Sequence, residues 1–329
     1  MQNKALATNV AAAHDRSDRD VVISVILVCL NAEQWLEEAL QSLFSQTHRS
    51  VELIVIDGGS TDRTLPILTQ YRQQIATLVS EPDQGIYDAM NKGLFLAGGE
   101  LIYFLNSDDA LYDDGVLAAL AAASVAYPDV DVFYGDALLV YEGGREVLSR
   151  YPNILLWEFF RGRTLCHQAT IARRSAFERV GGYDPGYRLA GDFAWILKSR
   201  WEHDLHYRYL PLTICRFRMG GSHGTPSSTT LLRSERERAV ASHVRGRYRF
   251  LSSHDDRRVS LRGLLVGDPA YAVRSNGRGI AGLLASLANN IRQTNRLRWH
   301  LLKVWGYRML RGSSGPVHST DPGCRQEGR

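Results

Sequence analysis

Cysteine is scarce in this chain: four in 329 residues, at positions 29, 166, 215 and 324, with no C-x-x-C among them. That spacing indicates neither a zinc site nor a disulfide framework, and it suits a reducing compartment. No apolar run reaches the roughly 18 residues of a membrane-spanning helix. Residues 1–20 are polar and Ala-rich with no apolar centre. They do not read as a signal peptide and are expected to be disordered. No G-x-G-x-x-G follows the first apolar run, which argues against a dinucleotide-binding dehydrogenase. No G-x-x-x-x-G-K-[ST] occurs, which excludes a P-loop.

The rest of the composition is that of a globular protein, with 44% hydrophobic and 22% charged residues. A net charge of +4 conceals an asymmetry. Residues 1–230 hold 20 Lys and Arg against 28 Asp and Glu, whereas 231–311 hold 17 against 5. Residues 312–329 are balanced. A basic block of this kind suggests contact with a polyanionic surface, either nucleic acid or anionic lipid.

Strand and helix patterns alternate through the first half. Val21 to Leu30 is a nearly unbroken β-branched and apolar run, as in a central parallel strand. A helix is predicted over 33–46, a strand over 51–56, a helix from about 62, a strand over 75–79 and a helix over 86–97. Leu101 to Leu105 is a buried strand that ends in Asn106-Ser107-Asp108-Asp109. Beyond it come a helix over 113–126, a strand over 130–134, a hairpin around Glu142-Gly143-Gly144-Arg145, a helix over 193–201 and short strands over 206–210 and 214–218. This order indicates a doubly wound α/β sheet with helices on both faces.

Polar clusters sit at the strand tips: Asn31, Asp57, Asp83 nearby, and Asp108 with Asp109. In an open sheet those tips face the ligand crevice. Adjacent carboxylates repel unless a cation or a donor satisfies them, and a divalent metal carrying phosphate oxygens would do so. A solvated turn with Asp as helix cap explains the same residues. At Asp57 a strand-to-helix turn capped by Ser60 or Thr61 is the plainer reading.

Five segments in order resemble one family: DGGSTDRT at 57–64, EPDQGIYDAMNKG at 81–93, NSDD at 106–109, CHQATIARR at 166–174 and GGYDPGYRLAGD at 181–192. They look like the inverting, GT-A-fold glycosyltransferases of family 2, above all the bacterial group that builds surface polysaccharides, such as the colanic acid enzymes. The resemblance covers about 21–230. It implies that Asn31 begins the nucleotide site, that Asp57 contacts base and ribose, and that Asp83 is a second acidic contact. Asp108 and Asp109 resemble the DXD element, with Ser107 in its first position, Asp108 on the nucleotide sugar and Asp109 as direct ligand of Mg²⁺ or Mn²⁺. His223 is the candidate late histidine of that metal shell, and an ordinary surface-loop histidine otherwise. Asp192 resembles the general base, or else caps the helix that follows. Many members carry Glu-Asp there, where this chain has Gly191-Asp192.

Lys92 is read as a phosphate contact or a solvated helical lysine. His167 and Gln168 line the sugar pocket or serve structure alone. Arg216 and Arg218 flank a Gly- and Ser-rich loop. Tyr87, Trp195 and Trp201 stack on ligand or fill the core. In the tail, Ile280, Leu283, Leu284, Leu287 and Ile291 share a helical face amid arginines. It lies on a membrane surface or packs on the main domain. The expected divisions are a disordered 1–20, a GT-A domain over 21–230, a basic helical extension over 231–311 and a disordered 312–329. The expected partners are a nucleoside-diphosphate sugar, a glycan or polyprenyl-diphosphate-linked acceptor, and the anionic inner face of the cytoplasmic membrane, with no nucleic acid. The competing readings are a nucleotide-sugar-binding protein without turnover and a sugar-1-phosphate nucleotidyltransferase.

Overall fold

The computed structural model describes residues 21–244, apart from 156, 162 and 221–225. The expected disordered ends, His223 and the amphipathic segment from Ile280 lie outside the described residues. The first strand, β1 (Ile23–Cys29), is buried along its whole length. Full burial of each Ile, Val or Leu there contributes about 1.5–3 kcal/mol, which makes β1 the centre of the core. Parallel to it run β2 (Val51–Asp57) on one side and β4 (Leu101–Asn106) on the other, and β3 (Thr77–Ser80) lies beyond β2. The strand order therefore reverses at β1, and the switch point falls between the C-terminal ends of β1 and β4.

Three helices join these strands: α1 (Leu36–Phe44), α2 (Thr64–Gln70) and α3 (Ile86–Leu96). α1 buries Leu36, Ala39, Leu40 and Leu43, an i, i+3, i+4, i+7 stripe. It starts three residues later than predicted because Ala32 and Glu33 turn toward the second crossover. Their amides donate to Thr64 Oγ1 (2.7 Å) and Asp62 Oδ2 (3.1 Å), and Glu33 Oε2 accepts from Arg63 N (3.0 Å). These bonds tie the two helix starts together.

The second half of the sheet is mixed. After β5 (Ala110–Leu111) and α4 (Val116–Ala126) come β6 (Val132–Val140), β7 (Glu146–Ser149), α5 (Trp157–Phe160), β8 (Thr170–Arg173), α6 (Arg174–Val180), α7 (Gly191–Trp201), β9 (Tyr207–Arg218) and α8 (Pro226–His243). The sheet order is β3-β2-β1-β4-β8-β6-β9-β5, with β7 paired to β6. β8 runs antiparallel to β4 and β6, while β9 is parallel to β6. The whole is the mixed α/β, mostly parallel sheet of a GT-A fold.

Two expectations are corrected. The strand expected over 130–134 and the first arm of the expected hairpin are one strand, β6, and the segments 206–210 and 214–218 are one strand, β9. Polar and proline residues suggested breaks. The structure places Pro211 instead where the β6–β9 register jumps from Tyr134↔Tyr209 to Asp136↔Thr213. At such an irregularity the missing N–H of proline costs no ladder bond. The boundary expected at 230 falls inside α8, which packs on α7.

Candidate active site

The crevice floor is built from the tips of β1 and β2. Register pairs Cys29 with Asp57, so Asn31 stands just beyond the ends of both strands. Asp57 is fully buried, and its carboxylate accepts from Ser60 N (3.1 Å), Ser60 Oγ and Ser80 Oγ (2.6 Å). Ser60 Oγ in turn accepts from Asn31 N (2.8 Å), and Asn31 Oδ1 accepts from Thr61 N (2.9 Å). A charge buried this deeply is tolerable only with such donors. Asp57 therefore shapes the turn, while Asn31 and Asp83 present polar atoms at its mouth. A Cβ at Gly58 would collide with Asp83 Oδ2. Only glycine lets that carboxylate close over the turn.

β4 delivers the second group. Asp109 is 3% exposed; Oδ1 accepts from Arg218 N (2.8 Å) and Oδ2 from Gln168 Nε2 (2.6 Å). Burial, then the charge of Asp108, push its carboxyl well above the usual carboxylate range, against those two hydrogen bonds. Asp108 is half-buried. Arg218 fastens the tip: Nε donates to Asp108 O (3.2 Å), a terminal nitrogen pairs with Glu38 (2.8 Å), and the guanidinium lies 3.6 Å from the Trp35 ring centroid.

An acid pair so destabilised fits a bound cation. The orphaned, buried Asn106 Oδ1 on the same tip adds a hard acceptor without a partner. Among the described residues no cluster of three or more His, Cys, Asp and Glu suits a metal. An ion here would draw most of its ligands from water and phosphate, the ordinary arrangement for Mg²⁺.

The third group stands on α7. Asp192 lies in the first turn of that helix, whose N-cap is Ala190. It does not cap the helix, although a carboxylate there is favoured by the helix dipole. Oδ1 accepts from Tyr87 Oη (3.1 Å), and Oδ2 lies 3.6 Å from His167 Nδ1. Burial pushes Asp192 up, but His167, the Phe193 amide and Tyr87 outweigh it and hold the carboxyl below its ordinary value. Gly191 explains the departure from Glu-Asp, since a Cβ there would sit 2.7 Å from Tyr87 Cε2. The loop before α7 is held by Glu235 of α8, 5% exposed, which accepts from the amides of Arg188 (2.8 Å), Leu189 (2.8 Å) and Ala190 (2.9 Å).

The family is decided by comparison with known proteins. The model of Glycosyl transferase family 2 matches residues 24–181. A PGL/p-HBAD biosynthesis glycosyltransferase of Mycobacterium bovis is 34% identical over 203 residues, covering 60% of this chain and 76% of the relative. The chain belongs to glycosyl transferase family 2. An uncharacterized glycosyltransferase of Mycobacterium tuberculosis is 33% identical over 214 residues, covering 63% of this chain and 79% of that protein. Among solved structures, Staphylococcus aureus TarS 1–349 superposes with a TM-score of 0.55 at 20% identity, covering 75% of each chain. The same TarS fragment with UDP-GlcNAc gives 0.53 at 19% identity, covering 82% of this chain and 81% of that one. At that identity the likeness shows the GT-A fold.

Of the residues the family resemblance singles out, the fold brings Asn31, Asp57 and Asp83 into one connected turn, and Asp108 and Asp109 onto one tip. Lys92 is engaged by Pro82 O (3.2 Å), Glu81 (2.9 Å) and Asp88 (3.5 Å). Trp195 and Trp201 pack in aromatic clusters with Phe177 and Phe160. Sequence reasoning missed Glu235 altogether and left the parts of Gln168 and Arg218 open. A glutamate in an arginine-rich helix carries no local signal, because its partners are backbone amides some 45 residues away.

Proposed function

We propose that this family 2 enzyme transfers a sugar, with inversion, from a nucleoside-diphosphate sugar to a glycan or lipid-linked acceptor in surface polysaccharide assembly. The observation that carries the reading is Asp192. It is a half-buried carboxylate that His167 and Tyr87 face and that is held below its ordinary value, on a different element from the Asp108–Asp109 pair. Inverting displacement needs that separation, because the acid that deprotonates the acceptor cannot also serve the leaving group. The acceptor hydroxyl would give its proton to Asp192 as its oxygen bonds to the anomeric carbon. The bond from that carbon to the diphosphate would break, and its electron pair would leave with the diphosphate.

Asp108 and Asp109, with His223 as the further candidate, would hold Mg²⁺ or Mn²⁺. Such an ion neutralises charge on a departing diphosphate. The turn of Asn31, Asp57, Ser60 and Asp83 would receive the nucleoside. The TarS complexes with UDP and UDP-GlcNAc support a uridine donor. A nucleotidyltransferase reading is disfavoured because Asn31-Ala32-Glu33 follows β1 where a basic phosphate loop would be needed. Among the described residues no helix is long and apolar enough to cross a membrane. The basic residues of 245–311 support peripheral attachment to an anionic inner-membrane surface from the cytoplasm.

A screen of UDP-, GDP- and dTDP-sugars with Mg²⁺ or Mn²⁺ tests the reading. One class should raise the melting temperature and be slowly hydrolysed, only with metal present. If none does either, the proposed function fails.

A further inference from the structure

One short turn touches both acidic groups of the site. The 3₁₀ turn His167–Ala169 precedes β8, and its middle residue, Gln168, is fully buried and donates to Asp109. The turn is fastened by Thr170 Oγ1 to His167 O (2.7 Å), by Tyr103 Oη to Gln168 O (2.7 Å) and by Ala169 N to Cys166 O (3.0 Å). The imidazole of His167 is therefore set in place by its backbone.

Its two nitrogens differ sharply. Nδ1 faces Asp192 Oδ2 at 3.6 Å, an ion-pair distance that a small ring rotation closes to a hydrogen bond. Catalytic contacts commonly tighten in this way once substrate binds. Nε2 is buried without a partner. His167 and Asp192 also line a cavity of about 20 Å³ together with Thr170, Tyr207, Phe104 and Trp195. That volume admits a water. A buried imidazole nitrogen without a partner calls for one.

We propose that His167 is a positioning residue for Asp192, its Nδ1 orienting the carboxylate while a water in the adjoining cavity satisfies Nε2. This rests on Asp192 being the base of the proposed reaction. The groups that face Asp192 are few. Tyr87 comes from α3, Tyr183 from the loop after α6, Tyr207 from β9 across the cavity, and Arg236 from α8, its guanidinium 4.6 Å from the Phe193 ring centroid. Of these, Arg236 alone is cationic, and its NH2 donates to Arg163 O (2.8 Å). Tyr87 supplies one hydrogen bond to Oδ1. The Phe193 amide is a further donor to the carboxylate, and His167 is the side chain that faces Oδ2, where it opposes the upward push of burial.

Two polar substitutions separate positioning from packing. His167→Asn sets an amide nitrogen near the place of Nδ1 and keeps a donor there. His167→Gln loses that donor but keeps a polar end toward the cavity. The full-length chain labelled with ¹³C-aspartate is titrated by NMR, the Asp192 carboxyl signal being the one absent from Asp192→Asn. In His167→Gln the Asp192 midpoint should rise, by about one pH unit, because a donor that favours the ionised carboxylate is lost. His167→Asn should move it less. The acid limb of hydrolysis, measured with the sugar nucleotide that the donor screen identifies, should shift upward by the same amount. An Asp192 midpoint unchanged in His167→Gln, with Asp192→Asn inactive, overturns the positioning role and leaves the base intact. Wild-type hydrolysis by Asp192→Asn removes the base itself, and the proposal with it.

Discussion

Removing the carboxylate of Glu235 is the sharpest test of how the site is held. Glu235→Ala deletes three hydrogen bonds, each to a charged acceptor and each 2.8–2.9 Å long. A bond of that type contributes about 1.5–3 kcal/mol net. The three do not add fully, because water can reach the half-buried amides of Arg188 and Leu189. The amide of Ala190 belongs to a residue with no exposure and would remain unpaired. One stranded donor at about 1–3 kcal/mol, with partial loss from the other two, gives roughly 3–5 kcal/mol. That is a large share of the 5–15 kcal/mol available to a native domain. Glu235→Gln keeps one oxygen as acceptor and should lose about half as much. Urea denaturation of the wild type and both variants measures the ordering. Transfer should fall as well, because the amides lie two to four residues before Asp192, while donor-induced stabilisation persists. A Glu235→Ala variant within 1 kcal/mol of wild type would refute the idea that this carboxylate anchors the α7 N-terminus.

Other outcomes follow from the same geometry. Asp192→Asn should bind donor normally but transfer sugar about two to four powers of ten more slowly, the usual worth of a positioned base; titration and initial rates on one preparation decide it. Asp109→Asn should abolish metal-dependent donor stabilisation yet raise the melting temperature of the unliganded protein by about 2–4 °C per kcal/mol gained. A buried acid pushed above its ordinary value is stabilising below its unfolded value, and the native state loses that benefit as pH rises; scanning calorimetry from pH 4 to 8 should therefore show the variant's advantage growing with pH. Gly191→Ala should cost about 1–3 kcal/mol by overpacking against Tyr87, with a fall in transfer exceeding any change in donor affinity. Flotation with anionic liposomes at low salt should carry the full-length chain but not a form ending before residue 275; a full-length chain that stays in the soluble fraction would remove the membrane proposal.

Legibility in the sequence followed the range of the interactions. Strands β1 and β4, the crossover helices and the strand tips were readable because apolar runs and periodicity are local, and because a parallel sheet forces its tips onto one side. The motif order supplied the family. The extent of β6 and β9 was not readable, since a proline inside a strand looks like a break until the partner's register shows the irregularity that accommodates it. Nor was the division of labour among the acids. The turn read at Asp57 is there with Ser60, but the bond from Ser80 on the next strand has no local signal. Asp192 resembles a helix cap, yet it sits past the cap, facing Tyr87 and His167. Sequence by itself determined which residue types reach the crevice. Tertiary structure alone decided how each carboxylate is held, because the hydrogen bonds from Arg218 and Gln168 to Asp109, the ion pair of His167 with Asp192 and the amide bonds that Glu235 accepts join residues dozens to more than a hundred positions apart, and no local pattern encodes a pairing of that span.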